Sequence, residues 1–250
     1  VKLLPAALII SITLFAQSIH AQTLKIASDA SYPPFSYIDS NNELKGFDID
    51  ISYALCKKMN VECRIVIQDF EGMIPGLLAK KYDAIVSSLA PTEERLQKID
   101  FTDPYYNTAL AIIVTKDSEI KEISAEAFKD KNLGTQSNTT QAAYAEDHYA
   151  SKGVNIKLYP TVIEVNRDLL SHRLDLMICD KTHALNWLAN EGKDCCKLLG
   201  TLEDTKFPIA IALRKNNHDL KNKLNEAIKA IRLDGTYEKI MKKYFAFDIY

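Results

Sequence analysis

The 250-residue sequence contains no G-x-G-x-x-G, no phosphate-binding loop, no G-x-S-x-G and no H-E-x-x-H. Those absences remove the usual sequence marks of dinucleotide binding, nucleoside-triphosphate chemistry, serine hydrolysis and zinc proteolysis. The five histidines (His20, His148, His172, His183, His218) are dispersed, and none pairs a nucleophile with a base. An excess of charge of one sign is also missing: 31 Lys and Arg against 33 Asp and Glu leave a formal net charge of -2. Lysine pairs such as Lys57-Lys58, Lys80-Lys81 and Lys242-Lys243 are scattered, so they read as solvated helix faces, and no nucleic acid is expected as a partner. Beyond the first 21 residues no stretch is long and apolar enough to cross a membrane. There is no short repeat and no low-complexity linker. What remains is ordinary globular composition, 47% hydrophobic and 26% charged, with length for one large or two small domains.

Residues 1–21 differ from the rest. Lys2 precedes an apolar run over residues 3–15, and residues 16–21 turn small and polar. This is the pattern of a secretory signal peptide. Cleavage after Ala21 would put Ile19 three residues before the cut, so the site is set only to within a few residues. No cysteine lies near it, so no lipid anchor is expected. The mature chain is expected to be exported to the periplasm. In that oxidising compartment Cys56 and Cys63, at a helix end and the next strand start, are expected to form a disulfide. Three cysteines remain. Cys179 falls in an apolar strand and reads as buried and inert. Cys195 and Cys196 are open to a metal or to a bridge elsewhere, but no second ligand pair stands at metal spacing, and no metal or cofactor is expected.

After the signal, apolar and polar residues alternate in a strand-helix rhythm. Strands are predicted over residues 24–27, 63–67, 84–86, 109–114, 133–135, 154–159, 174–179 and 209–213. Helices are predicted over 47–59, 73–78, 140–150, 162–170, 181–190, 218–233 and 237–244. Strands alternating with helices predict an α/β fold with a largely parallel sheet. The alternation restarts after a candidate crossing near residues 107–111. The chain is expected to return near Thr205 and pack its tail on the first unit.

The organising stretch is Asp83 to Tyr106. Ala84, Ile85 and Val86 read as a buried strand, Ser87 and Ser88 stand at its end, and Thr92 precedes the short polar helix that carries Arg95. Exposed amides, two hydroxyls and one guanidinium there suit a carboxylate, whereas a solvated turn with an Arg in a surface ion pair is the plainer alternative. Other polar residues also follow strands, where open α/β sheets bind ligands. Asp29 follows the first strand. Residues 136–141, with Gln136, Thr139 and Thr140, follow the strand at 133–135, and the threonines can cap the next helix. Asp180 follows the strand ending in Cys179, where locally it reads as a helix cap. Tyr32 and Phe70 are loop aromatics, suited to core packing or to a ligand wall. Together, one Arg with helix-start amides, two Asp and two aromatics outline a site for a zwitterion with a side chain.

Several segments carry a family resemblance: Tyr32-Pro33-Pro34-Phe35, Gly46-Phe47-Asp48-Ile49-Asp50, Cys56 to Cys63, Asp83 to Arg95, Asp103-Pro104-Tyr105-Tyr106, Asp175 to Asp180, Asp234-Gly235-Thr236-Tyr237 and Lys243-Tyr244-Phe245. The mature chain resembles the periplasmic polar amino-acid-binding proteins of ABC importers (solute-binding family 3), particularly the lysine/arginine/ornithine and histidine binders. The resemblance implies a two-lobed periplasmic-binding-protein fold, each lobe a mainly parallel sheet flanked by helices, joined by two hinge strands. Residues 22–108 with 206–250 would form lobe 1, and 109–205 lobe 2. It implies that Arg95 holds an α-carboxylate, assisted by the amides of Ser88 and Thr140. Asp180 would hold the α-ammonium and Asp29 the side-chain end, with Tyr32 and Phe70 around the stem. It also implies the Cys56–Cys63 pairing, a membrane permease as partner and a monomer. Three positions depart from the family: Ala90 replaces a hydroxyl residue, Gln136 an apolar one and Asn138 a Gly. The expected cargo is a cationic or polar amino acid, arginine or lysine first, with cystine or glutamine as alternatives. An exported dehydratase-like enzyme on the same fold is the rival reading, but no spare general acid is assigned to the pocket, so no catalytic residue is expected.

Overall fold

The computed structural model describes residues 23–250, and the expected signal peptide lies outside the described residues. The chain begins with β1 (Thr23–Ser28), a hairpin ribbon of β2 (Ser31–Tyr32), β3 (Ser36–Ile38) and β4 (Leu44–Lys45), then α1 (Phe47–Met59), β5 (Glu62–Ile67), α2 (Met73–Leu78), β6 (Ala84–Ile85) and α3 (Glu93–Lys98). Next come β7 (Asp100–Thr115), α4 (Ala125–Phe128), β8 (Asn132–Gln136), α5 (Thr140–Tyr149), β9 (Asn155–Tyr159), α6 (Val162–Leu170), β10 (Leu176–Asp180) and α7 (Lys181–Ala189). The chain ends with β11 (Cys196–Leu213), α8 (His218–Leu233) and α9 (Thr236–Tyr244).

The main sheet has the strand order β5-β1-β6-β11-β7-β10-β8-β9. The outer strands are parallel within each half, β5-β1-β6 on one side and β10-β8-β9 on the other. The central pair, β11 and β7, is antiparallel to itself and to its neighbours. This is the α/β architecture the strand-helix rhythm predicts, with helices flanking a mostly parallel sheet.

The central strands are longer than their apolar runs. Strands expected at 109–114 and 209–213 extend to Asp100–Thr115 and Cys196–Leu213. The reason is pairing. Asp103, Pro104, Asn107 and Thr108 carry no apolar signal, yet Pro104, Asn107 and Thr108 lie opposite Ala210, Pro208 and Phe207. Pro104 has no N–H to give, and the ladder slips in register on both sides of Ala210, where a proline is tolerated. The widest irregularity falls between Leu202, opposite Leu110, and Phe207, opposite Thr108. Thr205 stitches it: its Oγ1 accepts from the Leu110 amide at 2.9 Å and donates to the Leu202 carbonyl at 2.5 Å. Tyr32, read as a loop aromatic, instead lies in β2 of the three-stranded ribbon β2-β3-β4.

Helix ends follow the capping rules. Acidic Asp48 and Asp50 open α1, Lys57 and Lys58 close it, and Asn60 ends it in the left-handed region at φ 54°. Thr161 and Glu164 form a reciprocal capping box on α6.

Most of the short motifs that carry the resemblance meet in one aromatic core. Phe47 stacks with Tyr105 at 6.2 Å and packs edge-on against Tyr106, Tyr237 and Phe245. The Tyr237 hydroxyl donates to the Tyr105 carbonyl at 2.6 Å. Lys243 and the Tyr244 hydroxyl both reach Asp50 Oδ2. The tail helices α8 and α9 therefore lie against α1 and β7, in the half of the sheet that contains β1.

Cys56 is joined to Cys63, with Cα atoms 5.6 Å apart. Cys195 and Cys196 are joined to each other, so they neither bridge elsewhere nor offer free thiolates to a metal. Cys179 is free and buried.

Candidate functional site

The carboxyl ends of β1, β6, β8 and β10 converge on one cavity, with about 470 Å³ of unfilled space when the part open to solvent is included. Ten of the eleven residues singled out from sequence line it: Asp29, Tyr32, Phe70, Ser87, Ser88, Arg95, Gln136, Thr139, Thr140 and Asp180. Asp29, Ser87, Ser88, Gln136 and Asp180 sit where a strand of the main sheet hands over to a loop or helix, the position at which an open sheet leaves its edge free for ligands. Ala90 does not line the cavity; its carbonyl instead accepts from Arg95 Nη1 at 3.0 Å. Gln141, Val162 and Cys179 also line the cavity without having been singled out as ligand contacts.

Arg95 rides on α3, whose N-cap Thr92 accepts from the Arg95 amide at 3.3 Å. Its second arm, Nη2, donates to the Asn138 carbonyl at 2.8 Å, across the cavity. Its guanidinium carbon lies 5.7 Å from the centre of the Phe70 ring. Both hydrogen-bond acceptors are neutral carbonyls, and burial pulls the guanidinium down to about 10. Asn138 is left-handed at φ 59°, a conformation that Asn tolerates better than other side chains. The departure from Gly at this turn is thereby accommodated.

The two carboxylates differ in their surroundings. Asp29 Oδ1 accepts from the Ser31 amide at 2.9 Å and the Ser31 hydroxyl at 2.7 Å, while burial pushes the carboxyl above the ordinary carboxylate range. Asp180 stands at the N-cap position of α7, but its side chain makes no capping bond. It turns toward the cavity instead. Oδ2 accepts from the Tyr32 hydroxyl at 2.6 Å, and Oδ1 is buried with no partner. Burial pushes this carboxyl up to about 7. Among the described residues, none of Arg95, Asp29 and Asp180 takes part in an ion pair.

Two expected donors have other partners. The Ser88 amide, assigned by resemblance to a ligand carboxylate, donates to Asp48 Oδ2 at 2.9 Å, and the Ser88 hydroxyl to the same oxygen at 3.2 Å. Those bonds hold Ser88 in the left-handed region at φ 50°, a conformation that costs about 1–3 kcal/mol in a non-Gly residue. The Ser87 hydroxyl accepts from the Asp29 amide at 3.0 Å, tying the end of β6 to that of β1. The start of α5 is different. Thr139 caps it, its Oγ1 accepting from the Ala142 amide at 3.1 Å. The Thr140 amide belongs to the first turn, which has no intrahelical acceptor, at the positive end of the helix dipole.

Sequence reasoning missed two supporting residues. Asp48 reads as an ordinary first-turn acid of α1, but it is fully buried, also accepts from the Tyr105 hydroxyl at 2.8 Å, and is pushed up to about 7 by burial. His183 lies one turn after Asp180. Its ring stacks on Tyr32 at 5.0 Å and its Nδ1 lies 2.7 Å from the Pro33 carbonyl. Full burial lowers its imidazolium to about 4, so it is neutral at ordinary pH and Nδ1–H is the donor. No sequence spacing announces either role, because the partners lie far away in the chain.

A sheet-edge cavity with a half-buried Arg, two buried Asp and two bordering aromatics, set on this strand order, defines a small-molecule-binding protein. The chain belongs to the bacterial extracellular solute-binding proteins, family 3, whose model matches residues 24–247. The histidine-binding periplasmic protein of Escherichia coli strain K12 is 38% identical over 234 residues, spanning 92% of this chain and 90% of that one. The lysine/arginine/ornithine-binding periplasmic protein of the same strain is 36% identical over 256 residues, covering 100% of this chain and 98% of the relative. Among solved structures, an ancestral arginine-binding protein bound to arginine superposes with a TM-score of 0.86 at 34% identity, covering 91% of this chain and 100% of the other. These similar proteins are binding proteins by name.

Proposed function

We propose that the protein is the exported amino-acid-binding component of an ABC importer, and that it closes on a cationic L-amino acid, arginine or lysine first. The observation that carries this reading is the balance of buried charge. One guanidinium and two carboxylates line one cavity without ionic partners, and buried charges are stable only when paired. Their sum is -1. A free cationic amino acid brings one carboxylate and two cations, the complementary set. Glutamine or cystine is neutral overall and would leave the sum unbalanced.

In this reading Arg95 takes the α-carboxylate in its fork, with the Thr140 amide beside it. Asp180 Oδ1, the unpartnered oxygen, takes the α-ammonium. Asp29 receives the side-chain cation, and Tyr32 and Phe70 border the stem. The lobes are residues 22–108 with 206–250, and 109–205, with β7 and β11 as hinge strands and the irregularity around Thr205 at the crossing. Ligand touches both lobes only when they are closed, so it shifts the population toward the closed form. The chain is not an enzyme: each cavity carboxylate has a binding role, which leaves no general acid. It works as a monomer in the periplasm after signal cleavage and hands its cargo to a membrane permease.

The test is a thermal-shift panel on ligand-stripped mature protein with arginine, lysine, ornithine, histidine, glutamine, glutamate and cystine. Ligand at about 100 times its Kd adds about 2.7 kcal/mol of stability. Stabilisation by the cationic amino acids supports the reading. A strong shift with cystine or glutamine and none with lysine or arginine overturns the cargo assignment.

A further inference from the structure

The start of α7 grips the other half of the sheet at two points. Asp180 and His183 stand three residues apart there, a spacing that puts them on one face. Asp180 Oδ2 accepts from the Tyr32 hydroxyl at 2.6 Å. His183 sets Nδ1 2.7 Å from the Pro33 carbonyl and lays its ring on Tyr32, with centroids 5.0 Å apart and planes 14° apart. Two consecutive residues are thus held: Tyr32 by its hydroxyl and ring face, Pro33 by its carbonyl.

His183 differs from Asp180 in not lining the cavity. It is fully buried, and its Nε2 has no hydrogen-bond partner. Burying an imidazole nitrogen unpaired is unfavourable, so an apolar ring would serve better if the position needed only packing. What an apolar ring lacks is the Nδ1–H that meets Pro33. The stack also continues beyond Tyr32. Tyr32 lies against Phe35 at 5.8 Å and 20°, and Phe35 against Tyr106 at 5.0 Å and 15°. Tyr106 belongs to β7, so four near-parallel rings run from α7 to a proposed hinge strand.

Resting on the two-lobe reading above, we infer that His183 is a positioning residue, a latch that docks the closing lobe on Tyr32 and Pro33 and holds the Tyr32 ring in the cavity wall. In the open form its Nδ1–H and the Pro33 carbonyl would both meet water, and closure pairs them with each other. The latch touches no ligand, so it favours the closed form by the same amount whatever the cargo. It engages after ligand has entered, so it slows escape more than it speeds entry. The replacement His183→Phe keeps a ring for the stack and leaves the Pro33 carbonyl facing carbon. His183→Asn keeps an N–H donor near the place of Nδ1 and loses the stack.

Calorimetric and stopped-flow titrations of wild type and both variants with arginine and lysine test this. Trp187, the sole tryptophan and one turn beyond His183 on α7, gives the fluorescence signal. Work at about pH 8 keeps an exposed imidazole neutral, so proton uptake does not enter. Unliganded melting temperatures confirm that each variant folds. In His183→Phe both dissociation constants should rise by one common factor of about tenfold, the scale of a carbonyl left unpaired on closure. The rise should lie in the dissociation rate, with association within about threefold of wild type, and His183→Asn should recover part of it. Folded variants with unchanged affinity, unequal losses for the two ligands, or a loss carried by the association rate would overturn the latch. Failure of wild type to bind arginine or lysine would overturn the cationic amino-acid reading instead, and the amino acid that stabilises wild type in the thermal-shift panel then serves for the same comparison.

Discussion

Arg95 is fixed by two carbonyls and by the face of Phe70, and none of these neutralises it. If it holds the α-carboxylate, Arg95→Ala should weaken every amino-acid ligand by at least about a hundredfold, the loss of a bidentate charge-assisted pair. Calorimetry on the folded variant checks this, and a loss confined to one ligand class would contradict it. Asp180 gives a pH prediction. Burial in this closed, ligand-free arrangement holds the carboxyl at about 7, whereas a bound ammonium would keep it ionised. Binding at about pH 6 should then release about one proton from this group, and affinity should rise from about pH 5 to 7 before levelling. The sign follows because a protonated Asp180 must give up its proton to form the pair. Arginine titrations in two buffers of different ionisation enthalpy measure the release. Asp180→Asn should abolish that release, and a flat pH profile in wild type would count against the assignment. Most of these residues are legible in the sequence because a polar residue directly after a buried apolar run marks a strand end. Asp48 and the bonds by which it holds Ser88 are not, because that carboxylate comes from 40 residues earlier.

Among the elements, α5 and α6 allow a controlled comparison. Both open on a threonine N-cap, but the start of α5 brings Thr139, Thr140 and Gln141 to the cavity, whereas α6 brings only the apolar Val162. Thr139→Ala and Thr161→Ala should each cost about 1 kcal/mol of stability. Only Thr139→Ala should also weaken ligand binding, because it loosens the first-turn amides set for the carboxylate. Denaturation midpoints and dissociation constants measured side by side decide this, and equal affinity losses would contradict the role given to the α5 terminus. The sequence makes the outer strands and helices readable because their apolar residues recur with a clear period. It hides the extent of β7 and β11 because their polar segments become strand through pairing with each other. The β2-β3-β4 ribbon is hidden too, since two and three residues of strand leave no periodic signal.

At the scale of the whole molecule, hydrogen bonds among the described residues cross the cavity from Tyr32 to Asp180 and from Arg95 to Asn138, and His183 meets Pro33 beside it. Each joins the half of the sheet containing β1 to the half containing β10, so this is the closed arrangement of the proposed lobes. Closure of the proposed lobes would bring together a charge set of net -1, Arg95 with Asp29 and Asp180, which selects a ligand of net +1. The most direct measurement is a calorimetric titration of wild type and Asp29→Asn with arginine and with glutamine. Wild type should bind arginine more tightly than glutamine. The variant should lose about tenfold or more in arginine affinity while keeping glutamine within about threefold, since only the cation depends on the Asp29 charge. Equal losses for both ligands, or a wild type that prefers glutamine, would contradict the account.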